Sequence, residues 1–113
     1  MDVDSPDKVA RIRDLNDTFR RTFSGGRVMR TSGIAAMSDA QQEKVFDALK
    51  TFENFTPEND PNGEHDTAFF MVEGASYIAK IDYYDTDERF LSDDPGDPKC
   101  TKRVMTIMRA DEY

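Results

Sequence analysis

A chain of 113 residues suits one domain, and with 37% hydrophobic and 11% aromatic residues it can bury a modest core. One cysteine, Cys100, excludes an intrachain disulfide, and the net charge of −8 disfavours direct nucleic-acid binding, because phosphates are repelled. The polar, acidic opening Met1-Asp2-Val3-Asp4-Ser5 is unlike a signal peptide, and the longest apolar run, Ala68–Val72, is too short to span a bilayer; a cytoplasmic setting without membrane contact is expected.

In chain order, Ser5-Pro6-Asp7 reads as a helix start. Val9, Ile12, Leu15, Phe19 and Phe23 recur at three- and four-residue steps, one face of a helix that Ser24-Gly25-Gly26 ends. Arg11, Arg13, Asp14, Asp17, Arg20 and Arg21 fill the other positions; acids interleave with arginines at helical spacing, so this side is expected to be a solvated, ion-paired face.

Arg27–Thr31 is a short candidate strand. A second helix is expected from Ser38, which has capping-box spacing to Gln41, with Val45, Phe46, Leu49 and Phe52 as its apolar stripe. Asn54–Gly63, with two prolines and an Asn-Gly pair, reads as loop. Strands are then predicted at Thr67–Val72, Ser76–Tyr84, a short Arg89–Ser92 and Arg103–Arg109, with turns at Glu73-Gly74-Ala75 and Asp85–Glu88 and a loop at Asp93–Pro98. In Ser76–Tyr84, Tyr77, Ala79, Ile81 and Tyr83 share one face, and Ile78, Lys80, Asp82 and Tyr84 the other. Residues 1–113 are therefore expected to form a single α+β domain, with two helices on one face of a mainly antiparallel sheet of about four to five strands.

Charge is uneven along the chain. Residues 53–98 carry thirteen acids against Lys80 and Arg89 alone. Within that stretch Asp82, Tyr84, Asp85, Asp87, Glu88, Asp93 and Asp94 are the candidate partner-binding residues, since acids with rigid tyrosine area suit a basic surface.

Glu58, Asp60, Asn62, Gly63 and Asp66 occupy positions one, three, five, six and nine of a calcium-loop pattern, but the twelfth is Phe69 where a bidentate Glu is required. A polar turn leading into a strand is the expectation, with no metal or cofactor. His65, the one histidine, lies between Glu64 and Asp66. No nucleophile or second histidine stands at a recognisable spacing to it, so it is expected to fix the entry to the strand and no catalytic set is assigned. The competing reading is a small hydrolase or metal-assisted enzyme using Asp60, Glu64, His65 and Asp66 with Asp82 and Asp85.

Several segments together resemble a family of small bacterial proteins, domain of unknown function 3768. They are Ile12–Asp17 with Phe19-Arg20, Phe55–Pro61 running into Gly63–Asp66, Lys80–Asp85, Asp94-Pro95 with Asp97-Pro98, and Arg103–Met108 with Glu112-Tyr113. The resemblance implies membership and no activity. Its members resemble accessory proteins of bacteria and mobile elements. That association, with the acidic stretch, suggests a non-enzymatic interaction protein of inhibitor type (anti-CRISPR or anti-restriction). Its partner would be a basic protein surface, such as that of a nuclease or CRISPR effector subunit.

Overall fold

The computed structural model describes residues 6–113, so the expected cap Ser5 lies outside the described residues. Helix α1 spans Pro6–Thr22, strand β1 Arg27–Arg30, a one-turn helix α2 Ser32–Ala35 and helix α3 Asp39–Lys50. Strands β2 (Thr67–Val72), β3 (Ala75–Tyr84) and β4 (Lys102–Arg109) follow, and the chain ends in a 3-10 turn at Ala110–Glu112.

Helix α1 buries Ile12 and Phe19 as its spacing requires, but Asn16 and Arg20 are buried with them. The expectation that Arg20 belongs to a solvated face is corrected here: its side chain is 2% exposed. The apolar stripe is too narrow for the surface α1 covers, and polar residues complete it. The helix ends at Phe23, whose φ of 58° is left-handed and whose N–H donates to the Phe19 carbonyl at 2.7 Å. Three residues on, Gly26 passes against β4. A Cβ there would lie 2.6 Å from the Arg103 carbonyl oxygen and 2.7 Å from the Phe19 ring.

In α3 the Ser38 hydroxyl accepts from the Gln41 N–H at 3.2 Å, the expected cap, and Val45 and Leu49 are fully buried. Phe46 meets Phe23 edge-on at 5.6 Å, which ties α3 to the end of α1. Helix α2 is an addition to the two helices expected; one turn is too short for a periodic signal, but its Ile34 is fully buried in the same core cluster.

The sheet runs β1-β4-β3-β2. From β2 to β4 it is the antiparallel meander expected, with Glu73-Gly74 as a two-residue turn whose φ values of 51° and 83° match a type I′ hairpin. Strand β1 adds to the far side of β4 in parallel, reached by the long excursion through α2, α3, β2 and β3. The expected Arg89–Ser92 segment is reduced to one antiparallel bridge, Leu91 to Tyr84.

One face of the sheet carries Ala68, Phe70, Tyr77, Ala79, Ile81, Met105 and Ile107, which close over Phe19, Ile34, Val45 and Leu49 from the helices. By alternation Phe69, Met71, Ile78, Val104 and Met108 face the other way, and there Phe69 is 46% and Met71 66% exposed.

Candidate functional site

Two regions gather the chemistry-bearing residues: a buried polar network between α1 and the sheet, and the β3–β4 connection, residues 85–101, which the network holds in place.

Asn16, fully buried, is the centre of the network. Its amide donates to the Glu64 carbonyl at 3.0 Å and to the Tyr83 hydroxyl at 2.8 Å, and its Oδ1 accepts from Arg103 Nε at 2.8 Å. Tyr83 in turn donates to Glu64 Oε1 at 2.7 Å. Burial, then the Glu64 bond, pushes the phenol far above its ordinary range, so it stays protonated as a fixed donor. Arg103 stands over the Tyr83 ring at 5.1 Å and donates to the Pro95 carbonyl. Burial lowers its pKa.

Beside this lies His65. Its Nδ1 is 2.8 Å from Asp17 Oδ1 and its Nε2 3.6 Å from Asp60 Oδ2. The ring stacks on Phe55 at 3.9 Å and 6°. Its backbone is left-handed (φ 56°), a conformation anchored by the Asp60 carboxylate, which accepts from the His65 N–H at 3.1 Å. Arg20 bonds the same Asp17 oxygen at 2.8 Å and lies over Phe55 at 4.9 Å. Burial pulls the Asp17 carboxyl upward, but the His65 and Arg20 bonds outweigh it and its pKa falls below the usual carboxylate value. Asp66 shows the opposite balance, its carboxyl raised chiefly by burial, with Glu64 and Asp60 adding repulsion; its carbonyl accepts from the Ile81 N–H at 2.8 Å.

This arrangement fixes the local structure around the entry to β2. His65 Nδ1 is hydrogen-bonded to Asp17, Nε2 lies beyond hydrogen-bond length of Asp60, and one ring face is covered by Phe55. The hydrolase set is not assembled. Asp82 is on the opposite face of β3 from Tyr83 and pairs with Lys80 at 3.5 Å, and Asp85 accepts from the Arg89 N–H in the next turn. In the calcium-like loop, Asp60 is directed to His65 while Glu58 and Asn62 are exposed.

The seven candidate partner-binding residues all belong to the end of β3 and the connection after it. Asp87, Glu88 and Asp93 are exposed, and Asp82, Tyr84, Asp85 and Asp94 half-buried. Three are ion-paired: Asp82 with Lys80, Glu88 with Arg27 at 2.5 Å and Asp94 with Lys8 at 3.5 Å. Between them stand Phe90 and Leu91, 70% and 73% exposed, which the sequence reading treats only as part of a strand. The signal was available, as an apolar pair inside a run of acids has no reason to be there for solubility.

The connection is long but pinned. Ser92 N–H donates to the Tyr83 carbonyl, Thr101 Oγ1 donates to the Asp94 carbonyl at 2.6 Å, and Arg103 holds Pro95. Asp94, Asp97 and Cys100 offer donor atoms within 4.8 Å of one another, a spacing that could hold a cation. Their carboxylates already accept from the Gly96 and Lys99 N–H groups, so the turns account for their placement.

Fold and site together define a small α+β domain with an open four-stranded sheet and an ordered acidic loop at one end. The chain belongs to the family described as protein of unknown function (DUF3768), whose profile matches residues 30–112. The match takes in Glu64, His65, Tyr83, Arg103 and the whole β3–β4 connection; Asn16, Asp17 and Arg20 precede it. No curated protein and no solved structure matches the chain. Among the described residues no helix is long and apolar enough to cross a membrane.

Proposed function

We propose that this protein is a non-enzymatic interaction module whose β3–β4 connection docks on a basic protein surface, with Phe90 and Leu91 as its apolar anchors. The observation that carries the reading is the exposure of that pair within an ordered loop rimmed by Asp85, Asp87, Glu88 and Asp93. Long connections without regular structure are uncommon in small domains and usually functional, and this one is held by the buried Asn16–Tyr83–Arg103 network. Exposed apolar anchors with a charged rim are the usual anatomy of a binding patch, the anchors supplying affinity and the rim steering and selectivity.

The acidic rim favours a partner evolved to hold phosphate backbones. A nuclease or a CRISPR effector subunit is the sharper form of the proposal, with this protein acting in the cytoplasm as a mobile-element-encoded inhibitor. The position of Asp82 on the opposite face of β3 from Tyr83, paired with Lys80, weighs against the hydrolase reading.

The test is affinity capture from a bacterial host, with tagged native protein beside a Phe90→Ser/Leu91→Ser variant and an Asp85→Lys/Asp87→Lys/Asp93→Lys variant. A partner retained by the native chain, lost by both variants and released by salt would support the proposal. Equal capture by all three proteins, or binding indifferent to salt, would sink it.

A further inference from the structure

The two edges of the sheet are protected very differently. At the β1 edge the strand is four residues long and has arginines at both ends, Arg27 and Arg30. At the other edge, β2 reads Thr67-Ala68-Phe69-Phe70-Met71-Val72, six residues without a charge, a proline or a glycine. In a chain of net charge −8, that uncharged strip, with acids only at its flanks (Asp66 and Glu73), is where a second acidic molecule can approach with few carboxylates opposing it.

The register shows which backbone groups β2 leaves free. Val72 and Ala75 flank the two-residue turn and are therefore a hydrogen-bonded pair, and Ile81 N–H donates to the Asp66 carbonyl at the other end of the ladder. Residues 66, 68, 70 and 72 thus direct their amide groups at β3. Thr67, Phe69 and Met71 direct theirs at the open edge, where Phe69 and Met71 also expose their side chains.

We infer that β2 pairs antiparallel with β2 of a second copy, giving a two-fold dimer with one continuous eight-stranded sheet. With Phe69 opposite Phe69 and Thr67 opposite Met71, each free N–H and C=O of these three residues meets a partner. That register also keeps outward side chains on the same side in both copies, which a one-residue slip would not. Centring on Phe70 would instead direct Thr67 at Glu73, which is in the turn with a φ of 51°, so the Phe69 register is the better match. Phe69 and Met71 of the two copies then form one apolar strip across the axis. A cleft of about 570 Å³, bounded by Ala48, Thr51, Phe69 and Met71, leaves room along the edge. The surface is self-complementary, as a two-fold interface requires.

Sedimentation of the full chain at tens of micromolar should give twice the 12.9 kDa chain mass. A Phe69→Lys/Met71→Lys variant should sediment as a monomer with an unchanged circular dichroism spectrum, since both side chains are exposed, and its melting temperature should no longer rise with protein concentration as that of the dimer does. In a Cys100→Ser background, Phe69→Cys should cross-link to itself on mild oxidation, whereas Ser76→Cys, one strand in from the edge, should not. A native chain that stays monomeric, or a dimer that survives the double lysine variant, overturns the inference. Because Phe90 and Leu91 lie in a different segment, the capture experiment above can succeed or fail independently of this one.

Discussion

Replacing Asn16 by leucine tests whether the polar network holds the molecule together. The substitution keeps side-chain size within about one methyl group, so the loss is of hydrogen bonds rather than volume. It deletes the bonds to the Glu64 carbonyl, the Tyr83 hydroxyl and Arg103 Nε, all contributed by a fully buried side chain. Two neutral bonds are worth about 1 kcal/mol each and the guanidinium bond about 2 kcal/mol. Arg103 is itself 3% exposed, so its abandoned Nε–H keeps its desolvation cost. The expected destabilisation is therefore about 4 kcal/mol, read as a shift in the urea midpoint at unchanged slope. In a domain of this size that corresponds to a fall of about 10–20 °C in melting temperature. A loss below about 1 kcal/mol would refute the reasoning, because it would mean that water or neighbouring groups replace the amide.

Other substitutions probe separate parts of the argument. Gly26→Ala should destabilise by about 2–3 kcal/mol in chemical denaturation, since the new methyl meets the Arg103 carbonyl and the Phe19 ring, neither free to retreat. Asp17 has a depressed pKa, so its contribution is present above the unfolded value of about 3.9 and is lost as pH falls through the folded value. Asp17→Asn should flatten the acid limb of the stability–pH curve. Asp66 has the opposite sign: its raised pKa gives a contribution present below the unfolded value and lost as pH rises through the folded one. Asp66→Asn should therefore gain stability relative to the native chain between pH 3 and pH 7, measured by thermal melts across that range. Lys44→Ala, which removes a well-exposed pair with Glu73, should leave stability within about 0.5 kcal/mol, a control for these effects.

Much of the fold was legible because it rests on local signals. The α1 and α3 periodicities, the Ser38 cap, the Glu73-Gly74 turn and the alternation in β3 are each set by neighbouring residues. The parallel pairing of β1 with β4 joins segments about 75 residues apart, and nothing in Arg27–Arg30 announces its partner. The network around Asn16 was illegible for the same reason. Asn16 and Arg20 look like surface positions of an amphipathic helix, and only the approach of Tyr83, Glu64 and Arg103 from distant segments makes them interior. The candidate acids were visible by composition, whereas the exposure of Phe90 and Leu91 depends on how the connection folds back on β3.

That folding back links the buried network to the proposed binding surface. An acidic loop of this length, left free, would spread its charges by mutual repulsion and lose conformational entropy on docking. Here the cost is met during folding. Arg103 draws Pro95 toward the core, Thr101 fixes the Asp94 carbonyl, and Ser92 and Asp85 pair with Tyr83 and Phe90 to close the turn that presents the anchors. Tyr83 contributes to both sides, its ring and hydroxyl in the network and its carbonyl in the turn. Removing only its hydroxyl, by Tyr83→Phe, therefore leaves the backbone pairing intact while loosening Asn16 and Glu64. If preorganisation matters for binding, that variant should weaken partner affinity mainly through faster dissociation, although the deleted hydroxyl is bonded to Asn16 and Glu64 and not to the loop.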